Sequence, residues 1–248
     1  MIENLIIIPY RNREKHLDKF ISSTIPLLKE ELSKCKIVII EQTEDSLFNR
    51  GALINIGYDL FKDDAKFIIT HDVDLYPTHE CIRKFYSESF DGALGICCSP
   101  CNTLGGIVKI PVHYFEKVNG FPNNFWGWGI EDKAFQNRVE HHNIPIKKEI
   151  LRNRSGFLDF FLTDTSNHER LKDKYKHNMR HRLHYDKWPI ISKEKKNNLI
   201  YSSGLNNLKY KICKELSSKD YEHFIIEIFR EDENIIQKIW GVIKRLFK

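Results

Sequence analysis

At 248 residues, 41% hydrophobic and 29% charged, the chain has the composition of a globular protein and the length for one large α/β domain, or one domain with a small appendage. Its net charge of +5 comes with acids and bases mixed through the first half, which argues against a dedicated nucleic-acid binder with a concentrated basic face. The first apolar run, Leu5–Ile8, is far too short for a signal or a membrane span, and no other stretch approaches ~20 apolar residues, so a cytoplasmic protein is expected.

In chain order, Leu5–Ile8 closed by Pro9 reads as a buried strand, and Glu14–Leu32 carries helical spacing. KIVIIE (Lys36–Glu41) is a second buried strand, Gly51–Phe61 a helix, and KFIIT (Lys66–Thr70) a third strand. This β-α-β-α-β alternation predicts a Rossmann-like α/β fold: a mainly parallel sheet with helices on both faces. Further strands are expected at Gly92–Cys98, Ile107–Ile110 and, at an edge, Ile144–Ile150. Helices are expected at Pro111–Val118 and Glu131–His141, the latter opening on its acids as the helix dipole favours. The predicted division places the α/β domain at 1–190 and a basic helical extension at 191–248. Within that extension, Ile235–Lys248 sets apolar residues near one helical face beside four cations. That pattern fits an interfacial membrane helix or a helix docked on the protein's own core. The six cysteines read as reduced thiols; Cys97, Cys98 and Cys101 lack a second ligand pair at zinc spacing and read as small buried hydrophobes.

Ligands of parallel sheets bind beyond the carboxyl ends of the strands. Three polar motifs fall there: Pro9–Arg13, Glu41–Arg50 and His71–Pro77. Asp72 and Asp74, two apart in an extended segment, point the same way. Their hard carboxylate oxygens suit Mg²⁺ or Mn²⁺ bridging a diphosphate. Arg11 and Arg13 offer guanidinium forks for phosphate or carbonyl oxygens, and Phe48-Asn49-Arg50 adds a flat face and another cation. Phe121–Asp132 (FPNNFWGWGIED) sets tryptophans and mobile glycines beside Glu131 and Asp132, an aromatic wall next to acids of the kind a sugar site needs.

The strings IIIPYRNREKHL, EQ…FNRGALINIGY, HDVDLYP, GGIVKI and NGFPNNFWGWGIED resemble, in order, the β-1,4-galactosyltransferase family, glycosyltransferase family 7, over roughly Leu5 to Arg138. The resemblance implies a GT-A fold, a UDP-sugar donor, Mn²⁺ (Mg²⁺ as the alternative) and inversion at the anomeric carbon. Carried over by position, Pro9, Arg11, Arg13, Phe48, Arg50, Asp72 and Gly106 resemble the donor and nucleotide contacts, and Asp74 a metal ligand. Trp128 resembles the mobile-loop tryptophan that meets donor and acceptor, Glu131 a sugar-binding acid and Asp132 the catalytic base. His168 is the candidate for a further metal ligand, with Asp164 or water completing the set. The family's crowding aromatic two residues before its double glycine is replaced here by Thr103, which leaves room for an N-acetyl group. The expected donor is therefore UDP-galactose or UDP-N-acetylgalactosamine. Lys133 and Ala134 stand where the family often carries more acids, so the acceptor is read only as a saccharide or lipid-linked glycan, as in surface glycan synthesis. A retaining transferase of the same fold and a non-catalytic nucleotide-sugar-binding domain are the alternative readings.

Overall fold

A computed structural model describes residues 2–44, 46–127, 129–163 and 187–229. Trp128, His168 and the 235–248 tail lie outside the described residues. The centre is an eight-stranded sheet in the order β7-β5-β6-β3-β1-β2-β10-β9. Its strands are β1 (Ile2–Tyr10), β2 (Cys35–Gln42), β3 (Ala65–His71), β5 (Ala93–Cys98), β6 (Ile107–Pro111), β7 (Ile146–Leu151), β9 (Tyr210–Glu215) and β10 (Glu222–Ile228). β4 (Leu75–Pro77) pairs antiparallel with β8 (Phe161–Thr163) in a separate ribbon. The neighbours β3, β1, β2 and β10 run parallel, and β7 runs parallel to β5. β6 is antiparallel to both β3 and β5, and β9 to β10.

The continuous apolar run of β1 follows from its place in the middle of this sheet, where both faces are covered. Ile6 and Ile8 join one core with Ile37, Ile39, Ile69, Phe20 and Leu28; Leu5 and Ile7 join the other with Val38, Ile40, Ile68 and Phe115. Alternate side chains thus divide between two layers, as the period of a strand requires. The first layer is built from α1 (Glu14–Lys19), a π-helical turn (Phe20–Thr24), α2 (Ile25–Glu31) and the short α4 (His79–Cys81). The second holds α3 (Arg50–Phe61), α5 (Val112–Lys117) and α6 (Glu131–His141). Gly57 lets α3 press onto the sheet: a Cβ there would stand 2.5 Å from Ile7 Cγ2.

The expected elements of the first 150 residues are present, with one difference there and one further along the chain. The predicted helix at Glu14–Leu32 is continuous in path but widens into the π turn at its middle. Residues 191 onward, read as a helical extension, contain the helix Lys193–Tyr201 and then two strands, β9 and β10, hydrogen-bonded into the main sheet. β10 is a period-two strand: Phe224, Ile226 and Ile228 all enter the second core layer, while Ile225 and Glu227 alternate away from it. The helix Lys193–Tyr201 is fastened to the α/β core, because Arg138 and Asn123 both bond the Ser203-Gly204 corner that follows it. Among the described residues, no helix is long and apolar enough to cross a membrane.

Candidate active site

The carboxyl ends of β1, β2 and β3, the turn before β6, the N-terminus of α6 and the end of β7 converge on one site. Arg50 is its centre. It opens α3, whose N-cap Asn49 accepts from the Ala52 backbone N–H at 3.0 Å. From there the Arg50 guanidinium donates from Nε to Asp72 Oδ1 at 2.8 Å and from Nη1 to Asp132 Oδ1 at 2.9 Å. Nη2 lies 3.5 Å from the Gly106 carbonyl. Burial alone would lower the Arg50 pKa, but Asp72, Asp132 and Glu131 outweigh it and hold the pKa above its ordinary value.

The acids respond to the same crowding. Burial first, then the neighbouring Glu131 charge, push the Asp132 carboxyl well above its ordinary value, with Arg50 pulling the other way. Glu131 is likewise raised by burial, against the lowering effect of Arg50. Asp132 keeps a side chain that is 24% exposed. A group that is both reachable and unusually basic for a carboxylate suits proton abstraction.

The segment leading to these acids is tied down from below. Asn55 bonds Phe121 through both its amide nitrogen (2.7 Å) and its amide oxygen (2.9 Å), and Asn49 donates to the Asn123 carbonyl at 2.7 Å. The Gly127 N–H reaches the Phe48 carbonyl at 2.7 Å, joining the two loops. Phe121 and Phe125 of this segment are core residues; Phe121 stacks on Phe135 at 4.1 Å. The Phe121 ring also packs under the Arg50 guanidinium, whose carbon stands 5.8 Å from the ring centroid. Past Gly127 and Gly129, Ile130 adopts φ +81° immediately before Glu131. A β-branched residue in the left-handed region is strained, and such strain collects where a turn must aim particular side chains.

Gly105 faces Asp132 directly. A Cβ at that position would lie 2.1 Å from Asp132 Oδ2, so only glycine admits the carboxylate. Its neighbour Gly106 takes φ +72° and accepts the Asp72 N–H at 3.1 Å. Gly105→Ala is accordingly expected to turn the carboxylate away from Arg50 and cut kcat by about 100-fold. Thermal melting alongside the kinetics separates this from general unfolding, and wild-type kcat in a folded variant would refute the packing argument.

The DVD acids are balanced by arginines. Asp74, only 3% exposed, accepts from Arg152 Nη2 at 2.9 Å and from Arg13 Nη1 at 3.3 Å. Arg152 Nη1 also stands 3.9 Å from Asp72. Two hard-oxygen carboxylates, each paired with arginine guanidinium groups, are of the ligand type that a divalent cation such as Mn²⁺ or Mg²⁺ takes. Arg11 lies over Phe48, 5.5 Å from its centroid, and donates to the Ser46 carbonyl. Pro9 is buried inside β1, opposite Ile40 of β2. Thr103 is half-buried in the turn before Gly105 and its hydroxyl pairs with Ser99 Oγ at 2.7 Å.

Arg13, Arg50, Asp72, Asp74, Gly106 and Asp132 are thus brought together by contact, with Glu131 beside Asp132 and Arg11 and Phe48 paired on the adjoining loop. Gly105 and Arg152 were missed. The double glycine is visible in the sequence as a motif, whereas nothing local marks Arg152, which lies 78 residues from Asp74. Cys97 and Cys98 are buried as expected, while Cys101 is exposed; all six cysteines are free.

A parallel sheet with paired acids beyond its third strand is the GT-A glycosyltransferase arrangement. The sequence model for the N-terminal region of glycosyl transferase group 7 matches residues 2–87, and that for the N-terminal domain of galactosyltransferase matches residues 97–154, together more than half of the chain. The chain belongs to this family, the β-1,4-galactosyltransferases of glycosyltransferase family 7. It is similar to β-1,4-galactosyltransferase 7 of Drosophila melanogaster, 29% identical over 84% of this chain and 63% of that protein. It is also similar to β-1,4-galactosyltransferase 6 of Mus musculus, 32% identical over 83% of this chain and 51% of that protein. The chain therefore spans between half and two thirds of these relatives' lengths. A crystal structure of a Drosophila β-1,4-galactosyltransferase 7 mutant, in complex with manganese, UDP-Gal and xylobiose, superposes with a TM-score of 0.71. That match has 26% identity over 94% of this chain and 97% of the other.

Proposed function

We propose that the chain is an inverting, metal-dependent transferase that moves galactose or N-acetylgalactosamine from a UDP-sugar to a saccharide hydroxyl. The observation that carries this reading is the single Arg50 guanidinium shared by Asp72 and Asp132, which sets the nucleotide-side acid and the base on one rigid group. Asp132 takes the proton of the acceptor hydroxyl. That oxygen attacks C1 of the donor sugar from the face opposite the diphosphate, the C1–O bond to the diphosphate breaks, and UDP leaves. Asp74 would hold Mn²⁺ or Mg²⁺, which when bound offsets the charge gathering on the diphosphate. Arg11 and Arg13 bind the nucleotide side, and Phe48 offers a ring for the base. Glu131 orients sugar hydroxyls, and Trp128 would close over them. The manganese, UDP-Gal and xylobiose bound by the Drosophila relative support donor, ion and a saccharide acceptor for this chain. A lipid-linked surface glycan as that acceptor rests on the composition of the 235–248 tail alone.

Thr103 is read as the residue that sizes the pocket at C2 of the donor sugar. The expected result is acceptor-stimulated UDP release with Mn²⁺ from both UDP-galactose and UDP-N-acetylgalactosamine, and Thr103→Tyr suppressing turnover of the N-acetyl donor by tenfold or more relative to galactose. Release from neither donor with any saccharide acceptor, and no Mn²⁺-dependent UDP binding, would overturn the transferase reading. Equal effects of Thr103→Tyr on the two donors would remove the sizing role.

A further inference from the structure

Arg152 has no part in the chemistry above, yet it pairs closely with the buried acid of the DVD pair, 2.9 Å from Asp74 Oδ2. Its root is fixed where β7 ends: the Arg152 N–H donates to the Cys98 carbonyl at 2.9 Å. From that anchor the side chain, 15% exposed, spans both acids, 2.9 Å from Asp74 Oδ2 and 3.9 Å from Asp72 Oδ2. Arg13 reaches the same Asp74 oxygen at 3.3 Å, but its side chain is 44% exposed and more easily exchanged for solvent. Two carboxylates held this close repel each other without a cation between them, and Asp74 is too buried for water to screen the charge. A guanidinium fork can neutralise both, and a divalent ion must compete with it for the same carboxylate oxygen.

We propose that Arg152 is the resident counter-cation of this acid pair: it holds Asp72 and Asp74 in position, yields Asp74 to the divalent ion, and then turns its fork to the donor's diphosphate. The inference rests on the transferase reading. It makes Arg152 a residue whose loss moves two affinities in opposite directions, whereas a merely structural arginine would weaken both. The planar fork suits the exchange, because carboxylate and diphosphate present the same paired-oxygen geometry.

The test is calorimetric titration of the full chain with Mn²⁺ alone, then with UDP at saturating Mn²⁺. Arg152→Met is expected to bind Mn²⁺ alone several-fold more tightly than the wild type and UDP about tenfold more weakly. Arg152→Lys, which keeps the charge without the fork, is expected to shift both affinities in the same directions by less. Unchanged or weaker Mn²⁺ binding by Arg152→Met, or unchanged UDP binding, would overturn the proposal. If circular dichroism shows that Arg152→Met does not fold, Arg152→Lys decides alone, and wild-type affinities in both titrations would overturn it. A wild-type chain that binds neither Mn²⁺ nor UDP would sink the transferase reading itself, an outcome distinct from a failure confined to the variants.

Discussion

Asp132→Asn is expected to lower kcat by about 10²- to 10⁴-fold while leaving Mn²⁺-dependent UDP affinity within a few-fold of wild type. The amide preserves the shape of the carboxylate and can still accept from Arg50, so the opening of α6 should stay in place. What it cannot do is take a proton. The pH dependence follows with a definite sign. The base works only when deprotonated, and burial together with Glu131 raises its pKa. The acid limb of kcat/KM should therefore lie above the ordinary carboxylate range, with activity rising as pH rises through it. A steady-state profile measured with saturating Mn²⁺ checks the limb. An Asp132→Asn variant within tenfold of wild-type kcat would remove the residue from the role of base.

Arg50→Met should have the largest effect on stability. Arg50 lies between Asp72 and Asp132, and its removal leaves the two acids without their shared cation. Breaking a buried pair by removing one partner costs about 3 kcal/mol, at the low end here because both acids retain some solvent contact. In a chain of this size that corresponds to a melting temperature lower by roughly 10 °C. Donor affinity should fall with it, because the Asp72 carboxylate loses the group that aims it. Arg50→Lys restores charge but not the fork, and should recover part of the stability and little of the alignment. A melting temperature within 2 °C of wild type for Arg50→Met, by calorimetry, would show that the shared ion pair contributes little.

The reach and the failures of sequence reasoning have the same physical origin. Leu5–Ile8, Lys36–Glu41 and Lys66–Thr70 were legible because a strand covered on both faces needs an unbroken apolar run. The start of α6 at Glu131 was legible because acids gather at a helix N-terminus. β9 and β10 were not, because β9 is an exposed edge strand: its Lys211, Lys214 and Glu215 carry the charge that protects an edge and hide any pattern of burial. The core places of Phe121 and Phe125 were not read from the sequence, because a glycine-rich aromatic loop looks alike whether its rings face a ligand or pin the loop to the core. The acids Asp72, Asp74 and Asp132 stood out through motif context. Their partners did not: Gly105 acts through the side chain it lacks, and Arg152 meets Asp74 only after the sheet has brought β3 and β7 to one end. Proximity of that kind is a property of the topology, and no local spacing encodes it.

The central claim is direct displacement at C1, assisted by Asp132, and the anomeric configuration of the product tests it most directly. With UDP-α-galactose, Mn²⁺ and a saccharide acceptor, the proton NMR coupling of the newly formed linkage should be that of a β-galactoside, and Asp132→Asn should form it at least about 100-fold more slowly. An α-linked product would mean that configuration is retained, and would contradict a mechanism in which Asp132 drives a single in-line attack.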